Sequence, residues 1–325
     1  MICIKFLVGW LSWLKAPHSK CGIPVRVSGV QIPLPPPDFF KNEIIIRLCP
    51  KRQFFGILRY REVIIFKYQI MFMKILAGVS YLAMVVVNIL ANALPINNRG
   101  TGQISDAYAN LFAPAGLTFS IWGLIYLLLA AYVVYQFSLG QKNKNRESLF
   151  KKINTYFIIS SLANIAWIFS WHYDFIVMSV LIMLIILLSL IKIAEILRLE
   201  KFDHKERIFI SWPFSVYFGW ITVATIANIT VFLVSINWNG FGIADYIWTS
   251  IILLVGALIG ILRMMRDKNS VYLLVFIWAY LGILYKHLSS QGFGGQYSVV
   301  IFTVILCIVA FVISLIFLRK KLRLK

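Results

Sequence analysis

Charged residues are scarce in this sequence. They make up 14% of the 325 residues, whereas hydrophobic residues make up 60%, and the 12 Asp and Glu residues are far outnumbered by the 32 Lys and Arg residues. A soluble domain needs more polar side chains than this to cover its surface. The composition therefore excludes a soluble protein and predicts an integral membrane protein.

The sequence also lacks the short motifs that mark many catalytic and metal sites. It contains no glycine-rich phosphate loop, no H-E-x-x-H pair, no G-x-S-x-G elbow and, among its four cysteines, no C-x-x-C pair. No Asp, Glu, Lys or Arg lies near the middle of any long apolar run, where ion-coupled pumps normally carry ionisable groups. We therefore expect no enzymatic activity, no metal site, no cofactor and no carboxylate-driven transport.

Eight apolar runs follow Met73, and most are close to the ~20 residues that a helix needs to cross the hydrocarbon core. The sequence therefore predicts an all-α fold, a polytopic transmembrane helical bundle of about eight spans. The predicted spans are roughly Ile75–Leu94, Thr118–Ser138, Ile153–Trp171, Phe175–Leu197, Ile208–Ser235, Ala244–Leu262, Val271–Leu288 and Tyr297–Leu318.

The basic residues are grouped in every second connection between these runs. The connections at residues 140–152, 192–207 and 263–268 and the tail after residue 318 hold 18 Lys and Arg residues, whereas the alternate connections hold two, Arg99 and Lys286. Because Lys and Arg accumulate in cytoplasmic loops, we expect both termini to be cytoplasmic, in a bacterial cell membrane. Short separate loops do not form the continuous basic face that nucleic acid requires, so no nucleic-acid partner is expected.

Residues 1–72 differ in composition from the rest of the chain. They hold seven of the ten prolines and three of the four cysteines, but no apolar run long enough to cross a bilayer. Residues 9–37 resemble the conceptual translation of a transfer-RNA gene that lies upstream of a reading frame. We therefore expect residues 1–72 to be a non-native or disordered extension, with Met73 or Met71 as the natural start.

Residues 112–126 predict a loop that leads directly into a membrane helix. Pro114 and Gly116 indicate a turn, and a continuous apolar run follows them. Trp122 and Tyr126 are four residues apart in that run, so they share one face of the helix.

Polar and aromatic residues recur at helical spacing in two further runs. Asn164 and Trp167 share a face of the third run, and Trp220 and Asn228 share a face of the fifth. An Asn in hydrocarbon must find a polar partner, so each should face another helix or a cavity. Two interpretations are open: these residues line one binding cavity, or they form interhelical hydrogen bonds and interfacial aromatic belts.

These segments resemble the translocator protein family, the tryptophan-rich sensory proteins (TspO/MBR). The first loop of that family ends in Pro-Pro-Gly-Trp before Phe, Trp and Tyr; here Pro114-Ala115-Gly116-Leu117 precedes Phe119, Trp122 and Tyr126. Leu162 to Trp167 is similar to the family's Leu-Asn-x-x-Trp pattern, and Trp212 through Trp220 to Asn228 is similar to its fifth-helix series. The resemblance covers roughly residues 74–235. It implies a five-helix core at residues 73–236, with three additional transmembrane helices and a basic tail at residues 237–325.

The resemblance implies a binding or sensory protein that holds a flat hydrophobic ligand, tetrapyrrole- or sterol-like. The expected partners are the lipid bilayer and this ligand, with a homodimer as the candidate assembly. A permease or exporter of a small amphipathic solute is the main alternative, and an enzyme acting on a bound porphyrin is the least supported. The candidate ligand-binding residues are Pro114, Gly116, Trp122, Tyr126, Asn164, Trp167, Trp220 and Asn228, with residues 114–117 as a lid.

Overall fold

The structure is a computed structural model that describes residues 51–94, 96–139 and 144–323. These described residues form helices and the turns that join them, and they include no strand. Within this described part of the chain, eight helices are long and apolar enough to cross a membrane, which confirms the predicted all-α bundle of eight spans. We label them α1 (Lys51–Ala93), α2 (Ile121–Leu139), α3 (Lys144–His172), α4 (Ile176–Arg198), α5 (Trp212–Ser235), α6 (Asp245–Asp267), α7 (Ser270–Leu288) and α8 (Ser298–Arg323).

Two helices begin well before the spans predicted from hydropathy. The third begins at Lys144 rather than Ile153, and the first begins at Lys51, although its apolar part starts only at Tyr68. Hydropathy detects only the part of a helix that crosses the hydrocarbon core, whereas the hydrogen-bonded helix continues into the polar layer. The part of the expected extension from residue 51 to residue 72 is therefore helical. Residues 1–50 lie outside the described residues.

The helices differ in how deeply they are buried and in which neighbours they pack against. In α3 and α5, 56% and 50% of the most apolar segment is buried, against 28% in α2 and in α8. Helix α4 packs against both α3 and α5, whereas α6, α7 and α8 pack on one another, and α7 also packs on α5. Large apolar side chains such as Leu127 and Phe302 are exposed on the outside, as expected where a helix faces lipid.

Helix α5 is entered through an irregular turn. The capping box of Asp203 and Glu206 starts a short helix, His204–Glu206, and a turn of π-helix at Arg207–Ser211 leads into α5. Pro213 lacks an N–H group and would clash with the carbonyl one turn before it in a regular helix. The wider π turn accommodates this proline without a break in the helix.

The connection between α1 and α2 is the longest at its end of the bundle and has its own structure. It contains a 3₁₀ turn at Ile96–Asn98, a helix at Thr101–Ala107 and a second 3₁₀ turn at Gly116–Ser120. We call residues 96–120 the roof segment, and the end of the bundle where it lies, opposite the C-terminal tail, the distal end. The third, fifth and seventh connections also lie at this end.

Candidate functional site

Aromatic side chains from α2, α5 and the roof segment meet near the distal end. The ring of Trp122 stacks on that of Tyr126 with a centroid distance of 5.5 Å and meets the edge of Trp220 at 6.4 Å. Phe119 of the roof segment also packs edge-to-face on Trp220, at 5.8 Å. Offset and edge-to-face contacts are the favourable geometries for aromatic pairs, so these rings form a rigid wall.

A small cavity of about 50 Å³ lies beside this wall. Its lining is almost entirely apolar and comes from the roof segment and from α2, α3, α4 and α5. Trp167 and Trp171 of α3 form its second aromatic surface, with their rings stacked at 5.3 Å. The lining residues are Thr101, Ser105, Pro114, Phe119, Trp122, Trp167, Trp171, Met183, Trp220, Val223, Ala224, Ala227, Asn228 and Val231.

A larger cavity of about 560 Å³ shares part of this lining. Thr101, Phe119, Trp122 and Trp167 belong to both cavities, so the two adjoin. Most of its other lining residues come from the distal halves of α1 and α2. Ile89 of α1 and Gly123 of α2 are exposed residues of this lining, so the cavity is open where these two helices border it. The residues particular to it are Asn88, Ile89, Asn92, Ala93, Gly102, Gly123, Tyr126 and Ile168.

Asn228 holds one of the aromatic surfaces in place. Its Oδ1 accepts a hydrogen bond of 3.0 Å from the Trp167 indole N–H, and its Nδ2 donates to Ser179 Oγ at 2.9 Å. The Ser179 hydroxyl in turn donates to the Ile176 carbonyl at 2.7 Å. Asn228 thereby joins α5 to α3 and α4 and fixes the orientation of the Trp167 ring.

Asn164 joins α3 to α1 rather than lining a cavity. Its Oδ1 accepts a hydrogen bond of 2.7 Å from Asn88 Nδ2, and Asn164 itself is fully buried. Asn88 also donates to the Met84 carbonyl of its own helix at 2.8 Å. Helix α1 is also linked to α2, since the Tyr81 hydroxyl donates a hydrogen bond to the Tyr126 backbone carbonyl at 2.8 Å.

Two buried polar atoms of the cavity lining have no hydrogen-bond partner among the described residues. They are the indole nitrogen of Trp220 and the hydroxyl oxygen of Thr101. An N–H group left unpaired in an apolar site costs free energy, so a ligand that supplies an acceptor there gains affinity. Among the described residues that line the two cavities, none is Asp, Glu, Lys, Arg or His. The site is therefore suited to bind a largely apolar molecule with a few polar atoms.

The structure brings together most of the residues that the sequence pointed to. Pro114, Trp122, Trp167, Trp220 and Asn228 line the smaller cavity, and Trp122, Tyr126 and Trp167 line the larger. Asn164 lies behind this lining. Gly116 begins the second 3₁₀ turn of the roof segment and is exposed, outside both cavities.

Other lining residues were not found by sequence reasoning. Thr101 and Ser105 belong to the short roof helix, which has no apolar periodicity to mark it. Trp171 fits an interfacial belt equally well from sequence, yet it is only 4% exposed and its indole N–H donates to the Thr101 carbonyl at 3.1 Å. The four-residue spacing of Trp167 and Trp171 is the signal in the sequence that could have predicted this stacking.

Comparison with known proteins identifies a family to which this chain is similar. A family model described as TSPO-like protein matches residues 74–317, which is more than half of the chain. The match extends beyond residue 235, so α6, α7 and most of α8 lie within the matched region as well. No curated protein and no solved structure matches the chain.

Proposed function

Because the chain belongs to the TSPO-like protein family, we propose that this integral membrane protein binds a flat, largely apolar ligand of the tetrapyrrole class in the two adjoining cavities. The observation that supports this proposal most is the meeting of Trp122, Trp167 and Trp220, from three different helices, around one site. Flat aromatic ligands gain stacking and edge contacts from such walls.

The size and polarity of the site fit this ligand class. The larger cavity, at about 560 Å³, lies within the ~300–1,000 Å³ typical of small-molecule sites. The unpaired Trp220 indole N–H can donate to a carboxylate or carbonyl oxygen at the rim of the ligand, and the Thr101 hydroxyl can donate or accept. Asn228 acts indirectly, because its Oδ1 accepts the hydrogen bond that orients the Trp167 ring.

Porphyrin titration of the purified protein tests the proposal. Protoporphyrin IX added to the detergent-solubilised chain should bind saturably, as measured by the shift of its main absorption band. Trp122→Ala should weaken binding roughly fivefold, because one stacking surface of about 1 kcal/mol is lost. Trp212→Ala is the matched control, since Trp212 is 39% exposed and lines neither cavity. Equal affinity of both variants and the parent would reject this site.

The same preparation separates binding from transport and turnover. In proteoliposomes, saturable binding without net flux supports a receptor or sensor, whereas porphyrin flux would favour the permease. Chemical change of the porphyrin, followed by its absorption spectrum, would favour an enzyme.

We also propose that the N-terminal end of α1 and the C-terminal end of α8 both lie on the cytoplasmic side of a bacterial cell membrane. The 18 to 2 division of Lys and Arg between alternate connections supports this orientation. A cysteine placed at Lys268 should resist a membrane-impermeant thiol reagent added to whole cells, and one placed at Asn239 should react. The reverse pattern would invert the orientation.

A further inference from the structure

The roof segment is attached to α7 by four hydrogen bonds or ion pairs. The Ala115 backbone N–H donates to the Gly282 carbonyl at 3.1 Å, and the Trp278 indole N–H donates to the Thr118 carbonyl at 2.9 Å. His287 Nε2 lies 2.9 Å from the Leu111 carbonyl, and Lys286 Nζ lies 3.2 Å from Asp106 Oδ1. These contacts run along the last three turns of α7, so one helix face follows the segment over a considerable length.

Gly282 allows the closest of these approaches. A Cβ atom at this position would lie 2.0 Å from Thr118 Oγ1 and 2.8 Å from Thr118 Cγ2. Real Cβ atoms do not approach another atom so closely, so with any larger residue at position 282 the 3₁₀ turn at Gly116–Ser120 and α7 must move apart. Thr118 can therefore lie this close to α7 only because residue 282 is glycine.

His287 makes a second attachment from a fully buried position. Because the Leu111 carbonyl only accepts hydrogen bonds, the Nε2 atom of His287 carries the proton and donates it. The ring packs against Phe293 at 4.7 Å and Tyr297 at 5.9 Å, both from the connection that follows α7. These aromatic contacts fix the ring, and the ring in turn fixes the Leu111 carbonyl.

The attached residues alternate with residues that line the smaller cavity. Pro114 lies directly before Ala115, and Phe119 lies directly after Thr118. No described residue of α6, α7 or α8 lines either cavity. The other half of the roof segment is attached elsewhere, through an ion pair of Arg99 with Asp174 in the turn between α3 and α4.

We propose that α7 is the anchor of the roof segment, with Gly282 and His287 as positioning residues. Helix α7, which lines neither cavity, then sets ligand affinity, because it holds Pro114 and Phe119 against the site; α6 and α8 act only through their packing on α7. The part of this inference that concerns affinity rests on the proposed ligand binding, whereas the part that concerns the position of the roof does not.

Gly282→Ala tests the anchor through affinity. Porphyrin binding should weaken roughly tenfold, because Phe119 moves away with the 3₁₀ turn. The exchange variant, Gly282→Ala with Thr118→Gly, removes all three clashing atoms and should restore most of the affinity. Leu281→Ala is the control on the neighbouring, lipid-facing position, where the side chain is 46% exposed.

Two substitutions of His287 test the second attachment, and their effect on affinity should be smaller than that of Gly282→Ala. Gln retains an N–H donor that can reach the Leu111 carbonyl, whereas Phe fills the space without a donor. His287→Gln should bind porphyrin nearly as the parent does, and His287→Phe should bind it severalfold more weakly. Equal affinity of the two variants would remove His287 from the proposal.

Thiol labelling reports the position of the roof without any ligand. Ser105→Cys, in a background from which the four native cysteines are removed, places a thiol beneath the roof, where Ser105 is 8% exposed. Maleimide should label it slowly in the parent and with Leu281→Ala, and at least tenfold faster with Gly282→Ala.

The two measurements give distinguishable outcomes. Faster labelling together with weaker porphyrin binding supports the inference in full. If Gly282→Ala speeds labelling but the parent protein binds no porphyrin, the anchor is supported and the proposed function is rejected. Unchanged labelling with Gly282→Ala, combined with a lower unfolding temperature, would overturn the inference, since Gly282 would then serve only the packing of the bundle.

Discussion

Helices α1 to α5 and helices α6 to α8 are held together by different means. In the first group, side chains of different helices hydrogen-bond to each other: Asn88 to Asn164, and Trp167 to Asn228. A third set joins α2 to α3, since Asn154 accepts from Tyr132 and donates to Gln136, both at 2.8 Å. In the second group, the hydrogen bonds between the described residues of different helices run from a side chain to a backbone carbonyl, as from Tyr280 to Leu253 at 2.7 Å.

The second group relies on close packing at small residues. A Cβ at Gly260 would lie 3.0 Å from the Phe276 ring, and one at Gly256 would lie 2.8 Å from the Tyr280 hydroxyl. Both methods are known for membrane helices, where no hydrophobic effect drives association. The difference has a consequence for function. Paired amides hold helices at side-chain distance and leave room for a cavity, whereas glycine contacts close the space between them.

Among the variants that test this comparison, one that overpacks α6 should lower the unfolding free energy most. Gly260→Leu inserts a side chain where even a Cβ is crowded by Phe276 and Leu273, so the variant should lose about 3 kcal/mol of unfolding free energy. The measurement is equilibrium unfolding in mixed micelles. Ala83→Leu, a similar enlargement at an exposed position of α1, should change stability little. Equal losses would mean that the glycine does not define the contact.

Removing an amide pair should have a smaller effect. Asn164→Ala leaves Asn88 Nδ2 with only the Met84 carbonyl of its own helix, and the variant should lose about 1 kcal/mol. A double-mutant cycle with Asn88→Ala measures the pair directly, and its coupling free energy should be about 0.6–1.7 kcal/mol. A coupling energy of zero would contradict the view that amide pairs hold α1 to the bundle.

Asn228→Ala should affect ligand affinity more than stability. The variant frees the Trp167 indole N–H and lets its ring rotate, so porphyrin binding should weaken roughly threefold. Asn154→Ala removes an amide that lies away from both cavities, and it should leave porphyrin affinity unchanged. If the two variants bind alike, Asn228 does not position the wall.

Tyr280→Phe should have the smallest effect. The variant loses its hydrogen bond to the Leu253 carbonyl but keeps the packing of its ring on Phe311, with a centroid distance of 5.0 Å. The Leu253 carbonyl can still accept its own helical hydrogen bond, so the loss should be about 0.5 kcal/mol in the same unfolding measurement. A loss as large as that of Asn164→Ala would remove the distinction between the two groups.

The eight spans could be predicted because hydropathy and loop charge are local properties of the sequence. The aromatic walls could be predicted in part, since Trp122 with Tyr126 and Trp220 with Asn228 repeat at helical spacing. The partners of the Asn residues could not, because a helix face shows that a partner is needed but not which one. Asn164 was expected in the cavity, and it pairs with Asn88 behind it.

The roof was the least predictable part of the site. Its lining residues Thr101 and Ser105 lie in a short helix whose position depends on contacts with α3 and α7, far away in sequence. Gly282 gives no sign of its role either, because a glycine in a membrane helix is common and only the structure shows Thr118 against it.

The opening between α1 and α2 changes how affinity must be expressed. Ile89 and Gly123 are exposed lining residues of the larger cavity, and both belong to helices apolar enough to cross a membrane, so we expect this opening to face hydrocarbon rather than water. The proposed apolar ligand would then reach it by lateral diffusion from the bilayer, where partitioning would already have concentrated it. Occupancy would follow the mole fraction of ligand in the lipid, so adding empty vesicles at constant total ligand should dilute this reservoir and lower occupancy. A dissociation constant given per litre of water would drift with the amount of lipid present, whereas one given per lipid molecule would remain constant.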